Sequence, residues 1–296
     1  MNLHKPGAEV FIPDGKPVAD ALARCDYMGI GAHQDDLEIM AFDGIVKCFG
    51  REDHWFCGVT VTNGAGAPRA DLYENYTDAM MQTVRRKEQK KAAVVGEYGA
   101  QVLLDFTSAE VKTPPAREAI GDLKQVLLAA QPKFIYTHNF ADKHPTHVAV
   151  AVRTIQALRQ LRAEYQPEKV YGCEVWRDLD WIWSASDDDE KAADPRKIAF
   201  YFDTHDNIAM SLLGIFDSQV CGGKRYDLAT MGRRVANATY HQSHAVNLGD
   251  HVTYALDLTP LVEDPNLDIA AYLQEFTDAF ARDVAGQIAA ITKIKT

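Results

Sequence analysis

Short runs rich in apolar, β-branched and aromatic residues recur at 27–32, 55–62, 102–106 and 134–137. Between them, at about 36–49, 78–98 and 115–130, apolar side chains return every three or four residues, and a fourth such stretch follows at 145–163. The first pattern fits strands and the second fits helices. Their alternation predicts an α/β fold: a Rossmann-like, doubly wound, mostly parallel sheet flanked by helices, with ligands held beyond the carboxyl ends of the strands.

The second half is less regular. Strands are possible at 170–176 and 198–203, with helical spacing near 205–216 and 225–243. This half is read as decoration, about 166–296, on a core sheet of about 25–165, so that residues 1–296 make one domain. The segment 184–197, with the acidic run Asp187 to Glu190 and a proline, reads as a solvated loop. From 266 to 291, Ile269, Leu273, Phe276, Phe280, Val284 and Ile288 step by three and four residues, which predicts one buried stripe on a structural or intersubunit helix. A homo-oligomer is therefore an open possibility. No internal repeat suggests a solenoid.

At 296 residues and 47% apolar composition the chain can bury a substantial core. Its formal charge of −11 argues against nucleic acid or an anionic membrane surface as partner. Cys25, Cys48, Cys57, Cys173 and Cys221 are scattered and lack C-x-x-C spacing, so they read as reduced thiols. Residues 1–20 lack the apolar stretch of a secretory signal, and no later run has the length of a membrane span. The expectation is a soluble cytoplasmic protein.

The chemistry-bearing residues gather at two strand ends. After the first run comes Gly31-Ala32-His33-Gln34-Asp35-Asp36-Leu37-Glu38, just before a helix. Imidazole and carboxylate suit a borderline cation such as zinc, with ferrous iron as an alternative, and a turn lets His33 and Asp36 converge. Asp35 would then be a free carboxylate beside the metal's water, as metal-assisted hydrolysis requires. The plainer alternative is that both aspartates cap the helix.

After the fourth run comes His138-Asn139-Phe140-Ala141-Asp142-Lys143-His144-Pro145-Thr146-His147. Pro145 suits the first position of a helix, placing His144 at the cap and His147 in the opening turn. The plainer alternative is a capping or merely satisfied histidine. If the first and fourth strands are neighbours, this pair meets the His33 turn. Three ligands, His33, Asp36 and His147, with a fourth position open, would make a catalytic site.

These segments resemble the paired motifs A-H-P-D-D-x-E and H-P-D-H of the LmbE/PIG-L-type deacetylase family. Arg85-Arg86-Lys87-Glu88 is similar to its R-x-x-E helix, and His241-Gln242-Ser243 to its late H-x-S-Q, so the resemblance spans residues 30–244. Gln34 replaces the usual Pro, Thr146 a frequent Asp, and His244 the final Gln. The resemblance implies a single LmbE-like domain with a Rossmann-like fold and zinc-dependent removal of acetate from an N-acetylated sugar or glycoconjugate. It implies His33, Asp36 and His147 as metal ligands, Asp35 as base and later acid, and His144 as stabiliser of the oxyanion. A noncatalytic metal- or carbohydrate-binding protein of the same fold is the alternative reading.

On the 78–98 helix, Arg85 and Glu88 interrupt an apolar face shared by Met81, Ala92 and Val95. They form either an ordinary ion pair or a substrate-binding arginine anchored by its glutamate. The glycine-bearing loop within 62–77 can approach a ligand closely but lacks the G-x-G-x-x-G fingerprint after the first strand. Trp176, Trp181 and Trp183 are candidates for a sugar platform or, more plainly, for packing.

Overall fold

The structure, a computed structural model, describes residues 1–182, 194–202, 204–240 and 249–292. Its strands are β1 (Glu9–Phe11), β2 (Cys25–Gly31), β3 (Trp55–Thr62), β4 (Ala100–Phe106), β5 (Phe134–His138), β6 (Lys169–Cys173), β7 (Lys197–Phe202) and β8 (His251–Asp257). They form one sheet in the order β1-β4-β3-β2-β5-β6-β8-β7. The five strands β4-β3-β2-β5-β6 are parallel, and β1, β8 and β7 add antiparallel pairs at the two edges. The fold is thus the mostly parallel, helix-flanked sheet expected from the alternation.

The chain moves from β2 outward through β3 to β4, then returns to place β5 on the other side of β2. That reversal opens a crevice at the carboxyl ends of β2 and β5, the general ligand position of such sheets. Ile30 stands opposite Thr137 in the parallel register. Gly31 and His138 therefore leave the sheet side by side, and the two motif segments begin as neighbours.

Alternation along β2 separates its two faces. Met28 and Ile30 enter a core closed by Leu123, Val126 and Leu127 of the helix Arg117–Ala130 and by Ile155 and Leu158 of the helix Pro145–Leu161. Gly29 and Gly31 face the opposite way, beneath the short helices Asp36–Met40 and Phe42–Cys48. A Cβ on Gly29 would lie 2.9 Å from both Leu37 Cδ2 and Phe56 Cζ. The missing side chain lets the motif helix lie directly on the sheet.

Two expectations require correction. The sheet does not end near residue 165: β6, β7 and β8 extend it, and β1 adds its far edge. β6 and β7 fall on the possible strands at 170–176 and 198–203, whereas the short β1 and the polar-ended β8 lack the apolar runs of the doubly covered centre. The C-terminal helix Ile269–Thr292 has the expected periodicity, but only Tyr272 and Phe276 are buried. Phe280, Val284 and Ile288 are 43%, 42% and 59% exposed, because the helix runs past the body it packs on.

All five thiols are free, and four of them are buried. Among the described residues no helix is long and apolar enough to cross a membrane. Trp183, the acidic run Asp187 to Glu190 and the segment His241 to His244 lie outside the described residues.

Gly29→Ala should lower stability by about 1–3 kcal/mol through overpacking against Leu37 and Phe56. Gly232→Ala, in the helix Tyr226–Thr239 with open space around the new methyl, should be neutral or stabilising. Urea midpoints of the two variants, compared with the parent, test the close approach.

Candidate metal centre and pocket

The turn after β2 is clamped from four sides. Ala32 N–H donates to His138 Nε2 at 2.9 Å, and His33 N–H donates to Asp36 Oδ2 at 2.6 Å. Gln34 Nε2 donates to Thr62 O at 3.0 Å, while Arg85 donates to Gln34 O. Asp35 sits between these anchors with φ of 98°, a left-handed conformation that costs a non-glycine residue roughly 1–3 kcal/mol. It occupies the cap position of the helix without making a side-chain cap bond. The twist turns the Asp35 carboxylate away from that of its neighbour Asp36.

Four potential ligand atoms from three residues approach one another. His33 Nδ1 lies 3.1 Å from His147 Nε2, Asp36 Oδ2 lies 3.4 Å from His33 Nδ1, and Asp36 Oδ1 lies 3.4 Å from His147 Nε2. Neighbouring donors around a tetrahedral zinc with bonds of about 2.0–2.1 Å stand about 3.3–3.4 Å apart, close to each of these spacings, with Asp36 facing the two imidazoles through its two different oxygens. The protonation states fit as well. Burial, only partly opposed by Asp36, pushes His147 down to about 4, leaving its lone pair free at neutral pH. For Asp36, burial is outweighed by His147 and His138, which hold the carboxyl well below its usual range.

Among the described residues, two sets have ligand atoms all within 4.8 Å of one another, one of His33, His144 and His147 and one of Asp36, His138 and His147, so that His147 belongs to both. His138 is the less suited ligand, because the Ala32 N–H already occupies its Nε2 lone pair. It stacks on His147 at 4.0 Å and 20°, and so fixes that ring from behind. His144 holds the cap position of the helix Pro145–Leu161 without a side-chain cap bond, and its ring stands 4.9 Å from that of His33. Burial and the His33 charge lower its pKa, so a neutral N–H is the donor it offers near pH 7.

Asp142 was not singled out by the sequence reading. Its carboxylate accepts backbone N–H groups from His144 at 2.8 Å and Trp176 at 3.0 Å, and lies 3.4 Å from His147 Nδ1. Burial raises its pKa, but His147 and the backbone donors bring it down to about 2. An acidic group thus stands behind His147 although position 146 is threonine. The signal available in the sequence was an aspartate two residues before His144 in a loop return.

Asp35 Oδ2 is buried and has no hydrogen-bond partner among the described residues, while Oδ1 lies 3.4 Å from Arg85 Nη2. Burial pushes the Asp35 carboxyl well above its usual range, against the opposing pull of Arg85. Arg85 is itself buried, with Glu88 Oε2 3.6 Å away, and Glu88 accepts the Ser218 N–H at 2.8 Å and hydroxyl at 2.7 Å. The pair is thus neither a surface ion pair nor idle in the core.

His33, Asp35, Asp36, Arg85, His144 and His147 all line one cavity of about 250 Å³. Gly64, Gly66, Ala67 and Pro68 supply one wall, tied by Arg69 to Ala65 O at 2.8 Å and Tyr76 O at 3.2 Å. Trp176 supplies another and meets Tyr226 with ring centroids 4.3 Å apart. Trp181 instead packs at the edge of the core and donates to Asp178 O. Thr146, Ser108, Lys112, Gln219, Lys224 and Tyr226 complete the lining, and the sequence distance of the last five from both motifs gives no local signal for them.

Residues 28–158, which hold both clusters and the Arg85 helix, match the family model PIG-L: GlcNAc-PI de-N-acetylase. The match covers 131 of the chain's 296 residues, so it marks a likeness of that segment to the PIG-L family. No curated protein matches it in sequence. Among solved structures it is similar to GalB, the 4-carboxy-2-hydroxymuconate hydratase from Pseudomonas putida KT2440, with TM-score 0.59 and 15% identity over 79% of this chain and 96% of that one. It is similar to N,N'-diacetylchitobiose deacetylase from Pyrococcus horikoshii, with TM-score 0.57 and 14% identity over 85% and 90%. The zinc-inhibited form of teicoplanin deacetylase gives 0.52 and 14% over 78% and 97%. At these identities the likeness is one of fold, and a fold does not fix a reaction. The PIG-L match itself ends before Trp176, so Trp176, Gln219, Lys224 and Tyr226 of the pocket's wall lie beyond it.

Arg85→Met should destabilise the protein by about 3 kcal/mol, because it leaves Asp35 and Glu88 buried beside no cation. Chemical denaturation checks this, and a loss below about 0.5 kcal/mol would mean that the two carboxyls simply take up protons.

Proposed function

We propose that this chain is a metal-dependent hydrolase that removes an N-acetyl, or other N-acyl, group from an amino-sugar-type substrate. The observation that carries the proposal is the unpartnered Asp35 oxygen beside the convergent His33, Asp36 and His147 donors, all in one cavity. His33, Asp36 and His147 would hold a divalent cation, zinc or ferrous iron, which supplies Lewis acidity and lowers the pKa of water. The family match supports the reaction class.

Asp35 Oδ2 accepts a proton from the attacking water as the new C–O bond forms. The same oxygen returns that proton to nitrogen as the C–N bond breaks, leaving acetate and a free amine. His144 donates its N–H to the carbonyl oxygen as charge gathers there. Arg85 holds Asp35 in place and presents its guanidinium to the cavity. Asp142 and His138 keep the His147 ring in one orientation. Trp176 and Tyr226 offer aromatic faces for a sugar ring. The same reading makes the chain one LmbE-like domain acting in the cytoplasm on a small soluble substrate, with a homo-oligomer as its possible assembly.

The purified protein should carry about one metal ion per chain by elemental analysis and release acetate from N-acetylglucosamine derivatives. Chelation should abolish release, and readdition of zinc or ferrous iron identifies the metal that restores it. Asp35→Asn should keep the metal yet lose on the order of 100-fold or more in rate. Near-normal turnover in that variant removes Asp35 from the mechanism, and tight ligand binding without hydrolysis across N-acyl sugars favours a binding protein instead.

A further inference from the structure

The floor of the pocket carries the reacting groups, whereas its walls carry charge opposite in sign to the protein as a whole. The chain has a formal charge of −11, yet Asp35 and Asp36 are the only acidic residues lining the cavity among the described residues. Arg85, Lys112 and Lys224 line it too. Arg85 is already committed to Asp35 and Glu88. No carboxylate among the described residues forms a salt bridge with Lys112 or Lys224.

Lys224 is the more specifically placed of the two. Its Nζ stands 5.2 Å from the centroid of the Tyr226 ring, which in turn packs on Trp176. The backbone that delivers it is unusual: Val220–Lys224 form a wide π-helical turn, Gly223 has φ of 88°, and Arg225 is left-handed at 45°. Such turns carry a cost and concentrate at functional positions. Here the turn separates two adjacent cations. Arg225 is neutralised by Asp227 through bonds of 3.0 and 2.8 Å, whereas Lys224 lines the pocket without a salt bridge among the described residues. Lys224 is itself exposed, so its ammonium is open to a ligand entering the site.

An exposed ammonium that lines a pocket and forms no salt bridge among the described residues is free to pair with a bound anion. Local cations in a cleft also draw an anion against the repulsion of an acidic surface. We propose that Lys224, assisted by Lys112, binds an anionic substituent of the substrate, a carboxylate or a phosphate, so that the preferred substrate is an acidic N-acylated amine. The substrate class rests on the N-deacylase reading above, while the anion site itself does not.

The test uses metal-loaded protein and three probes: N-acetylglucosamine, its 6-phosphate, and N-acetylmuramic acid, which carries a carboxylate. Acetate release and calorimetric binding are measured for the parent, Lys224→Gln and Lys112→Gln. One of the acidic probes should exceed the neutral sugar by about tenfold or more in kcat/KM, the scale of one charge-assisted bond. Lys224→Gln should collapse that ratio through KM, and Lys112→Gln should reduce it less. Which acidic probe wins separates phosphate from carboxylate. Equal use of all three, or a ratio unchanged in Lys224→Gln, overturns the proposal. If no probe releases acetate, the N-deacylase reading fails and binding decides: tighter binding of an acidic probe in the parent, lost in Lys224→Gln with metal content unchanged, sustains the anion site. Equal binding of acidic and neutral probes overturns it.

Discussion

The parallel pairing of β2 with β5 is the contact on which the site depends. Each strand ends in a short polar segment that could not organise itself: a His-x-x-Asp turn on one side and a His-rich return on the other. The register that sets Ile30 opposite Thr137 brings them within one hydrogen bond, the Ala32 N–H donated to His138. From that bond the rest follows in space, since His138 stacks on His147 and His147 meets His33 and Asp36. A slip of the register would separate the two halves of the cluster.

The buried charges of the floor have different consequences. Asp36 is surrounded by imidazoles and remains an anion, whereas Asp35 has burial working against its charge and one guanidinium working for it. Two adjacent residues of the same type thus occupy opposite electrostatic environments, and the left-handed backbone of Asp35 makes this possible. Glu38, another carboxyl of the motif, is pushed up to about 7 by burial and is held by Tyr98 and Gln89, away from the cavity lining. It joins the motif helix to its neighbours.

The central strands were legible because strands covered on both faces read as apolar runs, and helix positions followed from spacing. β1 is three residues long, and β8 reads His251-Val252-Thr253-Tyr254-Ala255-Leu256-Asp257, with polar ends and a threonine within it, so neither stood out. At the site, residue chemistry and the motifs pointed to six positions that prove to share one cavity. Lys224 and Tyr226 escaped because their placement depends on how distant segments return to the strand ends, whereas Asp142 lies within the second motif and only the folded loop shows its carboxylate behind His147. The C-terminal stripe shows the converse: periodicity identifies a face but not whether anything covers it.

The helix Tyr226–Thr239 links the pocket wall to the motif turn. It begins with Tyr226 in the wall, and its buried Arg234 donates to the carbonyls of Glu38 at 3.1 Å and Ile39 at 3.2 Å. One helix therefore presents a surface at one end and grips the base of the reactive turn at the other. Side chains in the wall can be exchanged for others while that grip holds the turn in register. In evolutionary terms the arrangement is modular: ligand preference can drift at Lys224 and Tyr226 without loosening the machinery beneath them.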